Sequence, residues 1–270
     1  MIDTHCHLDR CDDLAAALDH DLDAVITIGT DQARLGPALR LAEHDRRTFA
    51  VVGIHPNEAH EVRDPAARAA VEAALAHPRV VGVGETGIDL YWDRAPLELQ
   101  VESFRWQGAL AAARDLPLVL HVRDPKGGSG AVADRASGLS ADLLTEIGHA
   151  RGVLHCTNGH PELLRVALAL GWYVSFAGNL TYPKATAVRD AARLVPAERL
   201  LVETDAPFLA PVPHRGRSNL PAYVRHTAAE LARLRGVEPA ALEQRLDANA
   251  RTLFRLPERA AADGEGAVAG

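Results

Sequence analysis

Short apolar runs rich in β-branched residues alternate with alanine-rich amphipathic stretches along the chain. The runs are MIDTH, DAVITIG, TFAVVGIH, RVVGVGE, LPLVLHV, RGVLHC, WYVSFAG and RLLVET. Their apolar residues are nearly continuous, as expected of strands buried on both faces. Between them, stretches such as QARLGPALRLAEHD, DPAARAAVEAALAH, LELQVESFRWQGALAAARD and PELLRVALALG space their apolar residues as helices do. Strands alternating with helices predict a parallel sheet. Eight such runs in 270 residues point to an α/β (β/α)8 TIM barrel. A doubly wound open sheet is the competing architecture, and periodicity alone does not separate the two. Two further helices are predicted around Pro221 to Leu234 and Pro239 to Phe254. The barrel is expected to span residues 1–258, with residues 259–270 as a flexible C-terminal tail. No linker or internal repeat interrupts the pattern. The most loop-like stretch is PKGGSGAVADRASG, Pro125 to Gly138, after the fifth strand.

Composition narrows the function. A hydrophobic content of 47% supports a large core, and a formal charge of -7 argues against a broad nucleic-acid-binding surface. A small local site stays compatible with that charge if bound metal supplies positive charge. Cys6, Cys11 and Cys156 are odd in number and do not have zinc-knuckle spacing, so they read as reduced thiols of a cytoplasmic protein. The start MIDTHCHLDRCDD is acidic and lacks the apolar core of a signal peptide. No apolar run reaches the ~18 residues of a membrane span, and nothing marks an obligate protein partner.

The informative residues are the ionisable ones on the strands. His5 and His7 end the first run, His55 the third, Glu85 the fourth, His121 the fifth, His155 the sixth and Asp205 the eighth. In a barrel these C-terminal ends converge on one mouth, where active sites are built. Residues i and i+2 on a strand share a face, so His5 and His7 can approach one ion together. Each residue alone also fits a plain role: a strand-end histidine bonded to a loop, Glu85 as a helix cap, Asp205 in an Asx turn. The four histidines other than His55 and the two acids stand on five strand ends and call for five separate structural explanations, where metal binding needs one. His5, His7, Glu85, His121, His155 and Asp205 are too many ligands for one catalytic zinc, and they divide well between two ions sharing a carboxylate. Mixed imidazole and carboxylate ligation suits zinc or manganese, with magnesium also possible.

The segments IDTHCHLD, VGIHPNEA, VGVGETGIDLYWD, LPLVLHVRD, GVLHC and LLVETDAPFLAPVPHRGRSN resemble the TatD family of metal-dependent deoxyribonucleases, which belongs to the amidohydrolase-like barrels. The likeness runs from Ile2 to about Leu256. It implies a two-metal site in which His5, His7 and Asp205 hold one ion, His121 and His155 the other, and Glu85 bridges. The stretch HCTNGH, Cys156 to His160 being its last five residues, departs from the family's usual aromatic followed by Ser or Thr, and the PKGGSG loop is longer than usual.

Two metals can activate water and clamp both oxygens of an in-line displacement, with Asp205 orienting or deprotonating that water. Arg123, His214, Arg215, Arg217 and Lys184 are the candidates for substrate phosphate, since guanidinium forks match phosphate oxygens. His55 is expected to contact phosphate or protonate the leaving group, which makes Asp205, Glu85 and His55 the catalytic candidates. The expected substrate is DNA, as single strands or at ends. A carboxylate-bridged amidohydrolase or lactonase on the same barrel is the rival, and an inactive metal-binding scaffold is a third reading. A carbamylated lysine bridge is disfavoured, because the only lysines, Lys126 and Lys184, lie off the predicted strands.

Overall fold

The computed structural model describes residues 1–92, 94–127 and 133–258. The expected tail therefore lies outside the described residues, as does the middle of the PKGGSG loop. Eight strands form one sheet in which sequence neighbours pair in parallel, in the order β1 to β8. They are β1 (Ile2–Cys6), β2 (Ala24–Gly29), β3 (Thr48–Val52), β4 (Val80–Asp89), β5 (Leu118–Arg123), β6 (Gly152–Leu154), β7 (Tyr173–Phe176) and β8 (Leu200–Val202). A strictly sequential parallel order belongs to a (β/α)8 barrel, since a doubly wound sheet reverses its order midway.

The seam between β8 and β1 is drawn together by polar side chains. Thr4 Oγ1 donates to the Val202 carbonyl at 2.9 Å, and the Asp3 carboxylate accepts from the Thr204 amide at 2.9 Å and its hydroxyl at 2.5 Å. Just beyond, the Asp205 amide donates to the His5 carbonyl and the His7 amide to the Ala206 carbonyl, at 2.9 and 2.7 Å.

The connecting helices are α1 (Leu14–Leu18), α2 (Gln32–His44), α3 (Pro65–Ala74), α4 (Leu97–Arg114), α5 (Arg135–Ile147), α6 (Pro161–Ala169) and α7 (Thr186–Leu194), followed by α8 (Val224–Arg235) and α9 (Pro239–Phe254). Helix α5 begins at Arg135, inside the stretch expected as loop; Asp124 anchors its start by accepting from the amides of Ala136 and Ser137 at 2.9 and 3.0 Å.

The core has two parts. Ile26, Ile28, Phe49, Val51, Val119, Val153 and Leu201 form an inner cluster with Ala250, Leu253 and Phe254 of α9. Residues of the opposite phase, such as Val25, Val52, Leu120, Leu154 and Val202, join a larger cluster with the helices. Strand alternation thus divides each strand between the barrel interior and the helix layer. No helix among the described residues is long and apolar enough to cross a membrane.

Candidate metal centre

The inner phase of each strand, followed toward its C-terminal end, leads to the site. Val119 is an inner residue of β5, so His121 and Arg123 share its face. By the same step of two, Val153 leads to His155, and Leu201 leads to Glu203 and then Asp205.

Two strands reach the site through irregularities. In β1, Asp3 pairs with Val25 but Cys6 pairs with Thr27, a shift of register between them. It leaves His5 in phase with inner Ile26, whereas Cys6 turns outward into the helix-side cluster. In β4, Gly84 pairs with Val119 and Thr86 with Leu120, so Glu85 is the extra residue of a bulge. The glycines around it are required. A Cβ on Gly84, at φ 135°, would stand 2.6 Å from the Val119 carbonyl oxygen, and one on Gly87, at φ 139°, would stand 1.9 Å from that of His121. Strand β4 was expected to end at Glu85; it continues to Asp89, which pairs with Arg123.

Glu85, 2% exposed, is the hub. Its Oε1 lies 2.7 Å from His121 Nδ1, 3.3 Å from His155 Nε2 and 3.7 Å from His55 Nε2. Its Oε2 lies 3.4 Å from His5 Nε2 and 3.8 Å from His7 Nε2. Asp205 completes the group, with Oδ1 3.3 Å from His7 Nε2 and 4.0 Å from His5 Nε2. The rings of His5 and His155 stack with centroids 3.6 Å apart. Asp205 has φ 56°, a left-handed conformation that a non-glycine residue adopts at some cost and that recurs at functional sites.

Two further carboxylates, passed over in the sequence, hold the histidines from behind. Glu203 Oε1 lies 2.7 Å from His155 Nδ1 and accepts from the Cys156 amide at 2.8 Å. Asp89 Oδ2 lies 3.2 Å from His121 Nε2, while its Oδ1 accepts from the amides of Tyr91 and Trp92. The signal for both was present, since Glu203 stands two residues before Asp205 and Asp89 four after Glu85.

The electrostatics follow from this crowding. Burial pushes the Glu85 carboxyl up, but the charges of His155, His5 and His55 and the His121 hydrogen bond override it and hold it well below the usual carboxylate range. Burial pulls His155 and His121 down, but Glu203 and Glu85 hold the first at about 10, and Asp89 and Glu85 hold the second at about 9. Burial alone dominates at His55, which falls to about 3.

The donor set fits divalent cations. His5 Nε2 and Glu85 Oε2 face each other while buried and without hydrogen-bond partners among the described residues. Leaving such groups unsatisfied is costly, and a cation between them would satisfy both. Among the described residues, ligand atoms gather within 4.8 Å of one another in four overlapping groups: His5, His7 and Asp205; His5, His155 and Glu203; His55, Asp89 and His121; Glu85, His121 and His155.

Above the centre opens a cleft of about 870 Å3. Its walls include Arg10, Trp92, Arg94, Arg123, Asn158 and Phe208. Of the five residues expected to meet phosphate, Arg123 lines it; His214, Arg215, Arg217 and Lys184 are not among its lining residues. The His214 ring instead stacks on Tyr223 at 3.8 Å with Nε2 3.1 Å from His226 Nε2, and the Arg215 guanidinium lies 4.4 Å from the Tyr182 ring. Arg10 and Arg94, unmarked in the sequence, also line the cleft. Cys6, Cys11 and Cys156 are free thiols.

A barrel with this histidine and carboxylate nest at its C-terminal mouth is the architecture of a metal-dependent hydrolase. The family described as TatD related DNase matches residues 2–255, and the chain belongs to that family. It is 37% identical to a metal-dependent hydrolase TatD of Mycobacterium tuberculosis over 95% of this chain and 98% of that one. It is 34% identical to a protein of Erwinia billingiae named 3'-5' ssDNA/RNA exonuclease TatD, over 92% of this chain and 94% of that one. Among solved structures, the TatD homologue YJJV of Escherichia coli superposes with a TM-score of 0.85 at 29% identity, covering 95% and 98% of the two chains.

Proposed function

We propose that the protein is a two-metal phosphodiesterase that removes nucleotides from DNA, acting on single strands or at ends. The observation that carries the reading is the pairing of the Glu85 nest with a cleft walled by Arg10, Arg94 and Arg123, none of which pairs with a carboxylate among the described residues. His5, His7 and Asp205 would hold one ion, His121 and His155 the other, and Glu85 would serve both. When bound, two divalent ions supply Lewis acidity and lower the pKa of water beside the scissile phosphate.

The chain's own groups do the rest. Glu203 orients His155 through Nδ1, which leaves Nε2 facing Glu85. Asp89 does the same for His121 through Nε2 and leaves Nδ1 facing Glu85. Asp205, at the edge of the nest with its side chain 14% exposed, is placed to take a proton from the attacking water. His55 Nδ1 accepts from the Asn57 amide at 3.0 Å, so a neutral His55 carries its proton on Nε2. Burial pulls the His55 pKa down to about 3, so His55 suits a neutral donor to a phosphate oxygen. Arg123 shares the inner face of β5 with His121 and is placed to meet a non-bridging oxygen.

The barrel would also serve a carboxylate-bridged amidohydrolase or lactonase, and the unpaired arginines favour a phosphodiester over either. The test is incubation of the purified protein with end-labelled single- and double-stranded DNA, lactones and N-acyl amino acids, across magnesium, manganese and zinc. Release of mononucleotides is expected. Turnover of lactones or amides with intact DNA would reject the reading.

A further inference from the structure

The cleft has a second feature that metal ligation leaves unused. Two of the large hydrophobic side chains exposed among the described residues are aromatic, Trp92 at 51% and Phe208 at 46%, and both line this cleft. Trp92 follows β4 and Phe208 follows β8, strands that lie across the barrel from each other in a ring of eight. The two residues therefore reach the cleft from strand ends four places apart in the order. The Phe208 ring centroid is 5.8 Å from that of His7, edge to face, which seats it at the border of the metal centre.

Cations are interleaved on the Trp92 side. The Arg123 guanidinium packs 4.0 Å from the Tyr91 ring, and Tyr91 meets Trp92 edge to face at 5.0 Å. Arg123 and Arg94 stand 5.4 and 5.6 Å from the Trp92 ring. The close contact with Tyr91 fixes the Arg123 fork. The looser contacts leave Trp92 half exposed, with ring surface free for another flat group. Exposed aromatics alternating with arginines in a groove match the chemistry of single-strand binding, where bases stack on rings and cations follow the backbone.

We propose that the cleft is a single-strand clamp in which Trp92 and Phe208 stack the bases on either side of the scissile phosphate, while Arg123 and Arg94 hold the phosphates beside the Trp92 base. The inference rests on the phosphodiesterase reading and adds what selects the substrate: unpaired bases, taken without regard to sequence. A base locked in a duplex has its faces covered by its neighbours and offers nothing to the clamp.

The test is steady-state cleavage of a short oligothymidylate and of an abasic strand with the same backbone, by the metal-loaded wild type and by Trp92→Ala, Trp92→Phe and Phe208→Ala. The wild type is expected to show a lower KM for the oligothymidylate. Trp92→Ala should raise that KM roughly 5- to 150-fold, the usual range for loss of one base stack. It should leave the abasic strand nearly unchanged, and Trp92→Phe should restore most of the loss. Phe208→Ala should show the same selectivity and supplies the answer if Trp92→Ala folds poorly. Equal KM for the two strands in the wild type, with no selective loss in either alanine variant, would overturn the clamp and leave the phosphodiesterase reading standing. A wild type that cuts neither strand under any metal would overturn both.

Discussion

His155 is gripped from two sides: its Nδ1 lies 2.7 Å from Glu203 Oε1, and its Nε2 lies 3.3 Å from Glu85 Oε1. Glu203 is 1% exposed and so spends its charge almost entirely on this ring and on the Cys156 amide. Carboxylates placed behind a ligating histidine typically contribute 10- to 100-fold in metal affinity or activity. Glu203→Gln should therefore weaken metal binding by about that factor, with the fold kept, because the amide oxygen can still accept from Cys156. Metal titration of the stripped variant checks it, and unchanged affinity would remove Glu203 from this role.

Removing the ligand itself should have a sharper effect. His155→Ala takes one of two histidines from the second ion and none from the first. Metal content should fall by about one ion per chain, hydrolysis should be lost, and the circular dichroism spectrum should stay native. Two ions held at full affinity in this variant would break the ligand assignment.

Asp205→Asn separates chemistry from folding. Asparagine tolerates the left-handed backbone that Asp205 adopts, so the strand end can keep its shape. Asparagine is also a poor ligand and no base at neutral pH. Turnover should drop by orders of magnitude while the thermal midpoint shifts by only a few degrees. A variant that retains most of its rate would take Asp205 out of the mechanism.

Metal removal should reverse the pH dependence of stability. In the metal-free protein, carboxylates hold His155 at about 10 and His121 at about 9, both above the unfolded value. A raised histidine contributes stability that is fully present below the unfolded pKa and is lost as pH rises through the folded one. The stripped protein should thus lose stability from about pH 6.5 through pH 9 to 10. Ligation needs neutral imidazole, so metal affinity should rise over the same range. Thermal midpoints of stripped and loaded protein across this window give both slopes. A stripped protein that gains stability with rising pH would contradict the charge arrangement.

Salt dependence reports how many cations meet the backbone. Arg10, Arg94 and Arg123 line the cleft. If each meets one phosphate of a single strand, log affinity against log salt should have a slope no steeper than roughly -2. A much steeper slope for a catalytically dead variant at fixed free metal would point to a basic surface elsewhere.

The periodicity was enough to read eight buried parallel strands, because such strands leave near-continuous apolar runs that loops do not imitate; the sequential strand order is what separates the barrel from a doubly wound sheet. The periodicity also located the residues of the nest, since strand ends in a barrel share one mouth. It could not show how His5 and Glu85 come to face that mouth. Both depend on register shifts, and a bulge is set by pairing with a neighbouring strand that the local sequence does not reveal. Asp89 is not legible along the chain, because the apolar run that marks β4 stops at Glu85, four residues before the strand ends. The excursion after β8 is less legible. His214, Arg215 and Arg217 lie near Asp205 in sequence, but the path of that loop is set by tertiary bonds such as those from Asn219 Nδ2 to the carbonyls of Thr204 and Phe208. No pattern along the chain reports such bonds in advance.

The central claim is that a pair of ions gathered around Glu85 cuts phosphodiesters. Its most direct test is to strip the protein of metal, return manganese in measured steps, and follow mononucleotide release from an end-labelled single strand against ions bound per chain. The account predicts negligible release from the stripped protein and a rate that climbs to a plateau at two ions. Full activity at one ion, or release that ignores metal altogether, would contradict it.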